Sequence, residues 1–465
     1  MPDKKKIEIV APVDKLLTIE DVEKAINEVY LLVDPGIIRI ILATVVANRL
    51  KLSDKPVWLL ILAGSSSGKS ALLDIINECG PWIVPIDSLT TNTFASGLKR
   101  DEETSLLHKA NDGILVFKDF TTLTSMNEEG LREIMGQLRG IYDGSFNKKT
   151  GNNVEVNWKG KIGVIAGGTG AAAQKMRQFS EQGERFINYR INVADSEEMA
   201  IRAMENVIDG KEKEARLREI VGRFMNERLD SEDDDGAFIS DKLKLKMIRI
   251  ADFATMARSP VTMDKKNPNM VIFVGDREQP SRFAIQLANM AIGLNIISQD
   301  DELSPLNAQI LYKTALDSIP VERRMVLSIL AEYREASTKS IAHKLHYSTS
   351  VVKGWCNQLD SLKMIKRVSN GTTDIWTLDE EYKTIMCEYE NINSKDVELE
   401  ISGVGVDGDG EGNAYVPSYQ IDDDDELDEE EIQQFNFDNF DKKDVPVPQM
   451  QKEVQPSIHT ETTKN

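Results

Sequence analysis

Short apolar runs alternate, between residues 56 and 195, with stretches in which apolar residues recur at helical spacing. The run WLLIL at 58–62 has the length of a buried strand, whereas ALLDIINEC at 71–79 has the spacing of an amphipathic helix. Similar strand-like runs are ILVF at 114–117 and IGVIAGG at 162–168. The alternation predicts an α/β fold for residues 56–195.

Helical patterns precede and follow this region. Residues 1–55 are predicted to form an N-terminal helical segment. It has a capping pattern at Thr18 and Asp21, followed by a second helix with Pro35 at its first position. Residues 196–320 are also predicted to be helical, with one acidic loop as an interruption.

The last part of the chain contains two further units. Residues 321–382 show three helical stretches and then two strands around an Asn-Gly turn, the pattern of a winged helix. Residues 390–465 are rich in Asp, Glu, Gly and Asn, so we expect a disordered acidic tail. The formal net charge is −21, and residues 395–465 hold 20 acidic and 5 basic side chains. Because most of the negative charge lies in the tail, the overall charge is only weak evidence against a nucleic-acid partner.

The stretch AGSSSGKS at 63–70 joins the first predicted strand to the helix that follows. It is the P-loop pattern with Ala63 in place of the first glycine. Glycines let a backbone approach phosphate oxygens, a lysine pairs with the β- and γ-phosphates, and a serine hydroxyl binds Mg²⁺. The pattern predicts a site for ATP and Mg²⁺. Its expected residues are Gly64, Ser65, Ser66, Ser67, Gly68, Lys69 and Ser70, with Ser70 as a metal ligand.

A P-loop also needs an acid at the end of a neighbouring strand. The best candidate is Asp119 in DGILVFKDFTT, at 112–122. The usual pair of adjacent acids is missing, since Lys118 and Phe120 flank Asp119. Either Asp119 binds the metal and the catalytic base lies elsewhere, or Asp119 is the base and Ser70 is the main metal ligand.

Other classes of protein are disfavoured by composition. No apolar run is long enough to span a membrane, and the basic start of the chain lacks the apolar segment of a secretory signal. Three cysteines without a CxxC pair fit a reduced, cytoplasmic setting and do not suggest structural zinc.

These pieces, in this order, resemble an AAA+ ATPase, and most closely a group from phages and mobile elements similar to minichromosome-maintenance (MCM-like) helicases. The resemblance covers residues 37–382 and implies a P-loop core, a helical lid at 196–320 and a C-terminal winged helix. The P-loop alone is generic, whereas the ordered set is far more specific. The set comprises PVWLLILAGSSSGKS, DGILVFKDFTTLTSM, IYDGSFNKKTGNNVEVNWKGKIGVIAGGT, GERFINYR, ARSPV, EQPSRFAIQLA and the winged-helix pattern.

The resemblance implies catalytic roles for three further residues. Thr169 matches the polar sensor 1 that orients the attacking water, and Arg185 in GERF matches an arginine finger that reaches a neighbouring subunit. Arg282 in PSR matches sensor 2, which contacts the γ-phosphate from the lid. Polar and cationic groups of this kind suit the charge that develops on the transferred phosphoryl group. Arg190 is an alternative finger, and Arg258 competes with Arg282.

Two regions are expected to contact DNA. In the resembled helicases, a hairpin at the position of residues 144–161 enters the ring channel, and Lys148 and Lys149 at its predicted tip suit phosphate contact. The third helix and the wing of the C-terminal unit supply Lys353, Lys366 and Arg367. Such a unit can also serve purely for protein docking.

The leading expectation is therefore an ATPase that acts as a motor on single-stranded or forked DNA: a ring-forming replicative helicase of a phage or mobile element. One alternative is an AAA+ initiator, loader or regulator that uses ATP as a slow switch. Another is a DNA-binding scaffold that does not hydrolyse ATP. The acidic tail is a candidate site for a replication partner or a mimic of nucleic acid.

Overall fold

A five-stranded parallel sheet lies at the centre of the fold, which confirms the expected α/β architecture. The computed structural model describes residues 16–31, 34–50, 53–64, 68–94, 106–120, 123, 126–149, 155–178, 184–191, 196–230, 239–333, 335–370 and 373–386. The predicted tail at 390–465 lies outside these residues. The strands are β1 (Trp58–Leu62), β2 (Ile83–Ile86), β3 (Ile114–Phe117), β4 (Ser145–Lys149), β5 (Glu155–Lys159), β6 (Gly163–Gly168), β7 (Phe186–Arg190), β8 (Val261–Met263), β9 (Val271–Val274), β10 (Glu335–Ser337), β11 (Ile365–Asn370) and β12 (Thr373–Leu378).

Helices connect most of the strands. They are α1 (Ile19–Val29), α2 (Gly36–Arg49), α3 (Lys69–Ile75), α4 (Leu106–Lys109), α5 (Glu128–Tyr142), α6 (Gly170–Gln178), α7 (Ser196–Glu205), α8 (Gly210–Asp230), α9 (Asp241–Arg258), α10 (Ser281–Ser298), α11 (Pro305–Asp317), α12 (Val321–Glu332), α13 (Thr338–Leu345) and α14 (Thr349–Ser361). The capping box predicted at Thr18 is confirmed, with Asp21 as its partner.

The strands of the central sheet follow the order β2-β3-β6-β1-β7, and all neighbours are parallel. Side chains along β1 alternate between two apolar clusters. Leu59 and Ile61 belong to the cluster formed with α2, α3 and α10. Trp58, Leu60 and Leu62 belong to the cluster formed with α5 and α6. Both faces of the sheet are covered, as expected for a parallel sheet with an uninterrupted apolar strand.

Helix α2, which belongs to the predicted N-terminal helical segment, forms the centre of one layer. Residues from Gly36 to Asn48 are buried, and the helix packs along α10. A side chain at Gly293 of α10 would come within 2.3 Å of the Ala43 carbonyl oxygen. The absence of a side chain at Gly293 therefore allows α2 and α10 to approach each other closely.

The outer edge of β7 is covered by the end of α11. The backbone N–H of Asn188 donates to Ser318 Oγ at 3.0 Å, and that of Arg190 donates to Asp317 Oδ2 at 2.8 Å. These side chains satisfy an edge that would otherwise be open to pairing with another chain.

The region 196–320 is not wholly helical, because the hairpin β8–β9 separates α9 from α10. Its strands VTM and VIFV are rich in β-branched residues. The Asp264 carboxylate accepts from the backbone N–H groups of Lys266 and Asn267 at 2.7 and 2.8 Å, which fixes the start of the turn. The sequence contains these β-branched runs and turn residues, but the long helical patterns on either side favoured a helical prediction for the whole region.

The C-terminal unit contains α12, α13 and α14 with an antiparallel sheet of order β10-β12-β11. Trp376 is fully buried, and its indole N–H donates to Thr338 Oγ1 at 2.8 Å. Arg323 of α12 donates to the carbonyl oxygens of Ala257 and Ser259 at 2.8 and 2.7 Å. This buried arginine connects the C-terminal unit to the end of α9.

Candidate functional site

The candidate nucleotide residues follow three neighbouring strands that end at the same edge of the sheet. β6 lies between β1 and β3, so Thr169 lies between the P-loop and the segment that carries Asp119. We call this edge, marked by Leu62, Phe117 and Gly168, the carboxyl edge. Ligands of open parallel sheets bind in the crevice outside the carboxyl ends of the strands.

Lys69 is the first residue of α3 and follows Gly68, whose φ of 78° favours glycine. Its ammonium donates to the carbonyl oxygens of Ala63 and Gly64 at 2.9 and 2.5 Å. Burial lowers the pKa of Lys69, while the negative charge of Asp119 acts in the opposite direction. Lys69 therefore lies over its own loop and within electrostatic range of the candidate acid.

The other P-loop residues are only partly described. Ser70 is exposed on the first turn of α3, and Gly64 is exposed at the start of the loop. Ser65, Ser66 and Ser67 lie outside the described residues.

Asp119 and Thr169 follow the ends of the paired strands β3 and β6, and the backbone remains in close contact just beyond the paired residues. A side chain at Gly167 would come within 2.7 Å of the Lys118 carbonyl oxygen. The Lys118 ammonium forms an ion pair with Asp74 of α3 at 2.7 Å. Lys118, one of the two non-acidic neighbours of Asp119, thus connects the end of β3 to the helix after the predicted P-loop.

Thr169 also has a structural role, because its hydroxyl accepts from the backbone N–H of Ala172 at 3.3 Å. This contact caps the first turn of α6. A hydroxyl that accepts one hydrogen bond still has a proton to donate, so the capping role is compatible with orienting a water molecule.

Arg185 lies at the opposite edge of the sheet. It immediately precedes β7, whose first residue, Phe186, pairs with Trp58 at the start of β1. Four residue steps along β1 span roughly 13 Å, so the strand separates Arg185 from Lys69 within one chain. We call this edge, marked by Trp58 and Phe186, the amino edge.

The Arg185 side chain is 11% exposed and forms an ion pair with Asp143 at 3.3 Å. Its guanidinium lies 5.7 Å from the centre of the Tyr142 ring. Burial lowers the pKa of Arg185, and the positive charge of Arg282 lowers it further. Two of the predicted catalytic arginines are therefore neighbours.

Arg282 is on the first turn of α10 and pairs with Glu278 at 3.2 Å. One turn further along, Gln286 donates to the Arg185 carbonyl oxygen at 3.1 Å. These contacts put Arg282 at the amino edge, away from its own P-loop. Arg258, its competitor, is 3% exposed and makes two bonds of 2.7 Å to Glu278, as expected for a structural residue.

Arg190, the alternative finger, ends β7 at the carboxyl edge, where it pairs with Leu62. Burial lowers the pKa of Arg190, and Asp317 opposes this effect. The two candidate fingers thus lie at opposite edges, Arg190 beside the P-loop of its own chain and Arg185 remote from it.

A cavity of about 920 Å³ lies beside β7, between α6, the start of α10 and the C-terminal unit. Its walls include Arg177, Arg258, Arg282 and Arg323, together with Glu278. The cavity gives Arg282 an open approach from outside the chain.

The expected hairpin is present as β4 and β5. Lys148 and Lys149 are the last two residues of β4, so they lie on a strand and not at the predicted tip of the hairpin. Residues 150–154, between β4 and β5, lie outside the described residues. Lys148 pairs with Glu133 of α5 at 2.7 Å and is 27% exposed. The structure does not describe the side chain of Lys149.

The cations predicted to contact DNA in the C-terminal unit all have carboxylate partners. Lys353 lies 3.1 Å from Asp374, to which Arg367 donates at 2.7 Å, and Lys366 lies 2.7 Å from Asp379. Burial alone would raise the pKa of Asp374, but the hydrogen bonds from Lys353 and Arg367 hold it below its ordinary value. These ion pairs are partly exposed, and a phosphate group can compete for the cations.

One charged group was missed by the sequence analysis. Asp317 is fully buried and pairs with Lys313 at 2.6 Å and with Arg324, besides capping β7. The i,i+4 spacing of Lys313 and Asp317 indicates a pair on a helix. No feature of the sequence indicates that this pair is buried.

No protein-family model matches the chain, and no curated protein matches it. In the part of the chain that the structure describes, no helix is long and apolar enough to cross a membrane. The same residues contain no group of three or more side chains suited to bind a metal ion.

Proposed function

We propose that this chain is a Mg²⁺-dependent ATPase of the AAA+ type that assembles into a ring and acts on DNA. The observation that carries the proposal is the gathering of Lys69, Asp119 and Thr169 at the ends of three adjacent parallel strands. A cation for the phosphates, a carboxylate for metal or water and a hydroxyl for water are the groups that phosphoryl transfer needs. Ser70 would complete the metal ligands.

Ring assembly is supported by the position of Arg185. Since β1 separates Arg185 from Lys69, the finger cannot reach the phosphates bound by its own chain. In a head-to-tail assembly, the amino edge of one subunit approaches the carboxyl edge of the next, and such heterologous contacts close into rings. Arg282 lies beside Arg185, so it would contact the same neighbouring nucleotide.

DNA as the substrate is supported by the β4–β5 hairpin and the C-terminal unit. The hairpin carries Lys148 and Lys149 beside its turn. In residues 321–378, three helices precede the strands β11 and β12, an order compatible with a winged helix in which α14 is the third helix. A motor that pulls single-stranded or forked DNA, as in a replicative helicase, accounts for both the β4–β5 hairpin and the C-terminal unit. A tail-bound replication partner remains part of this proposal.

A slow ATP switch, as in an initiator, loader or regulator, is the second candidate. It is favoured by the absence of a second acid beside Asp119, which is flanked by Phe120 and by Lys118, the partner of Asp74. With one carboxylate at the end of β3, either the metal lacks a ligand or the attacking water lacks a base. ATP hydrolysis is therefore expected to be slow.

The first experiment measures ATP hydrolysis and nucleotide binding for three variants. Lys69→Ala should lose at least about a hundredfold in turnover, because it removes the cation that faces the phosphates. Asp119→Asn should lose turnover but retain most of its ATP affinity. Lys55→Ala, at the other end of β1, is the matched control and should behave like the parent.

If Lys69→Ala hydrolyses ATP at the parent rate, the site assignment is wrong. Strand displacement on forked DNA then separates the two candidates. Displacement that requires ATP supports the motor, whereas ATP-dependent binding without displacement supports the switch.

A further inference from the structure

The third helix of the C-terminal unit, α14, is covered on the face that points away from its own core. Successive residues of a helix are rotated by about 100°, so the buried positions Val352 and Cys356 mark the inner face. Ser350, Gly354 and Asn357 lie on the opposite, outward face. In a DNA-binding winged helix, this outward face would enter the groove.

The turn of the β8–β9 hairpin, residues 267–270, occupies this outward face. Asn269 Nδ2 donates to Ser350 Oγ at 3.1 Å, and Asn357 Nδ2 donates to the Asn269 carbonyl oxygen at 2.7 Å. A side chain at Gly354 would come within 3.0 Å of the Pro268 carbonyl oxygen. The turn therefore contacts α14 at three successive positions of one face.

The turn has its own internal support. The Asn269 N–H donates to Asn267 Oδ1 at 3.2 Å, and the Met270 N–H donates to the Asn267 carbonyl oxygen at 2.8 Å. It is thus a preformed element that contacts α14, and its shape does not depend on that contact.

Several contacts of unequal strength hold the C-terminal unit to the preceding helices, among them the ion pair of Arg324 with Asp317 and the ring contact of Tyr382 with Phe253. Arg323 is 5% exposed and donates to two backbone carbonyls, so removing it would leave buried acceptors without partners. The contact of the turn with α14 depends on hydrogen bonds that are exposed or only partly buried. The turn can therefore separate from α14 while Arg323 keeps the unit attached.

We propose that the turn 267–270 is an intramolecular cover that must leave α14 before this helix can enter the major groove of DNA. The major groove is about 12 Å wide and a helix with its side chains is about 10–12 Å across, so no room remains for a second backbone on the same face. The inference rests on the proposed function, which makes the C-terminal unit a DNA-binding domain. It adds a closed state of the protein in which α14 does not contact the bases of double-stranded DNA.

The first test cross-links the turn 267–270 to α14. Asn269→Cys and Ser350→Cys are combined in the full chain, with Cys387→Ser to prevent mispairing. Binding of a blunt DNA duplex without nucleotide is then measured by fluorescence anisotropy before and after reduction. The oxidised protein should bind about tenfold more weakly than the reduced protein, because the cover cannot leave. Asn269→Cys alone, treated with the same oxidant, should show no difference.

The second test removes the cover and leaves α14 intact. Replacing residues 264–270 by Asn-Gly keeps the hairpin and deletes the turn. This variant should bind the duplex about tenfold more tightly than the parent, although it loses the cations Lys265 and Lys266, which by itself would weaken binding. Equal affinity of oxidised and reduced proteins, or no gain on shortening the turn, would overturn the proposal.

ATP hydrolysis without DNA is measured on the same samples. A parent protein that does not hydrolyse ATP would count against the proposed function, whereas duplex affinity alone decides the role of the cover.

Discussion

Gly167 lies where the backbones of β3 and β6 come closest at the candidate site. A side chain here would meet the Lys118 carbonyl oxygen at 2.7 Å and Leu73 at 3.2 Å. The end of β6 and the segment after β3 would have to separate, close in the chain to Asp119 and Thr169. We expect Gly167→Ala to lower the free energy of unfolding by about 1–3 kcal/mol, measured by urea denaturation, and to reduce turnover more than ATP affinity.

Gly136 provides the matched control. It is exposed on α5, and apart from the backbone of its own helix no atom lies within 4 Å of the position that its side chain would occupy. Gly136→Ala should stabilise the protein by roughly 0.5–1 kcal/mol, because alanine loses less conformational freedom in a helix. If Gly167→Ala were as stable and as active as Gly136→Ala, the close approach of β3 and β6 would have no role at the site.

At the scale of elements, the β4–β5 hairpin presents a lysine that is partly neutralised. Because Lys148 pairs with Glu133, removing the carboxylate frees the cation for phosphate contact. We expect Glu133→Gln to strengthen binding of single-stranded DNA, most clearly at low salt, where charges are least screened. Lys148→Ala should weaken binding and reduce the salt slope by about 0.7.

Glu129→Gln, which removes an exposed acid one turn earlier on α5, is the control for the change in total charge. A gain of the same size in both variants would mean that general repulsion, and not the pair with Lys148, limits binding. The hairpin would then not be the site of DNA contact.

Elements with a strong local signal could be predicted from the sequence. β1 is an uninterrupted apolar run, and both hairpin strands flank a dense cluster of turn residues. The three helices of the C-terminal unit correspond to the three predicted helical stretches. The β8–β9 hairpin was missed because its short strands lie between long helices. Its contact with α14 could not be predicted, since it joins surfaces that are distant in the sequence.

The residues of the candidate site likewise divide into those that a local motif predicts and those whose position depends on distant contacts. Lys69, Asp119 and Thr169 could be expected together because strand ends in a parallel sheet share an edge. The positions of Arg185 and Arg282 at the other edge depend on where β7 begins and how α10 packs. Neither property is encoded by a local motif.

At the scale of the whole molecule, the separation of Lys69 from Arg185 predicts complementation between subunits. Arg185→Ala alone should lose about 10³-fold in turnover but keep its nucleotide affinity. When it is mixed with Lys69→Ala, roughly a quarter of the interfaces are complete in randomly assembled rings, and activity should recover accordingly. Turnover is measured against the mixing ratio, alongside light scattering.

Mixing Lys69→Ala with Asp119→Asn is the control, because both variants are defective in the same half of the interface and should not recover. A monomer with full ATPase activity would refute the ring.

The burial of α2 has a consequence for how the chain folds during synthesis. Ala43 contacts Gly293, so α2 leaves the ribosome long before its main partner, α10, has been made. Until then, an almost wholly apolar helix has no surface to cover it. Contacts between such distant residues slow folding and leave apolar segments open to aggregation. The chain therefore depends, during much of its translation, on chaperones or on temporary contacts of α2 with the nascent sheet.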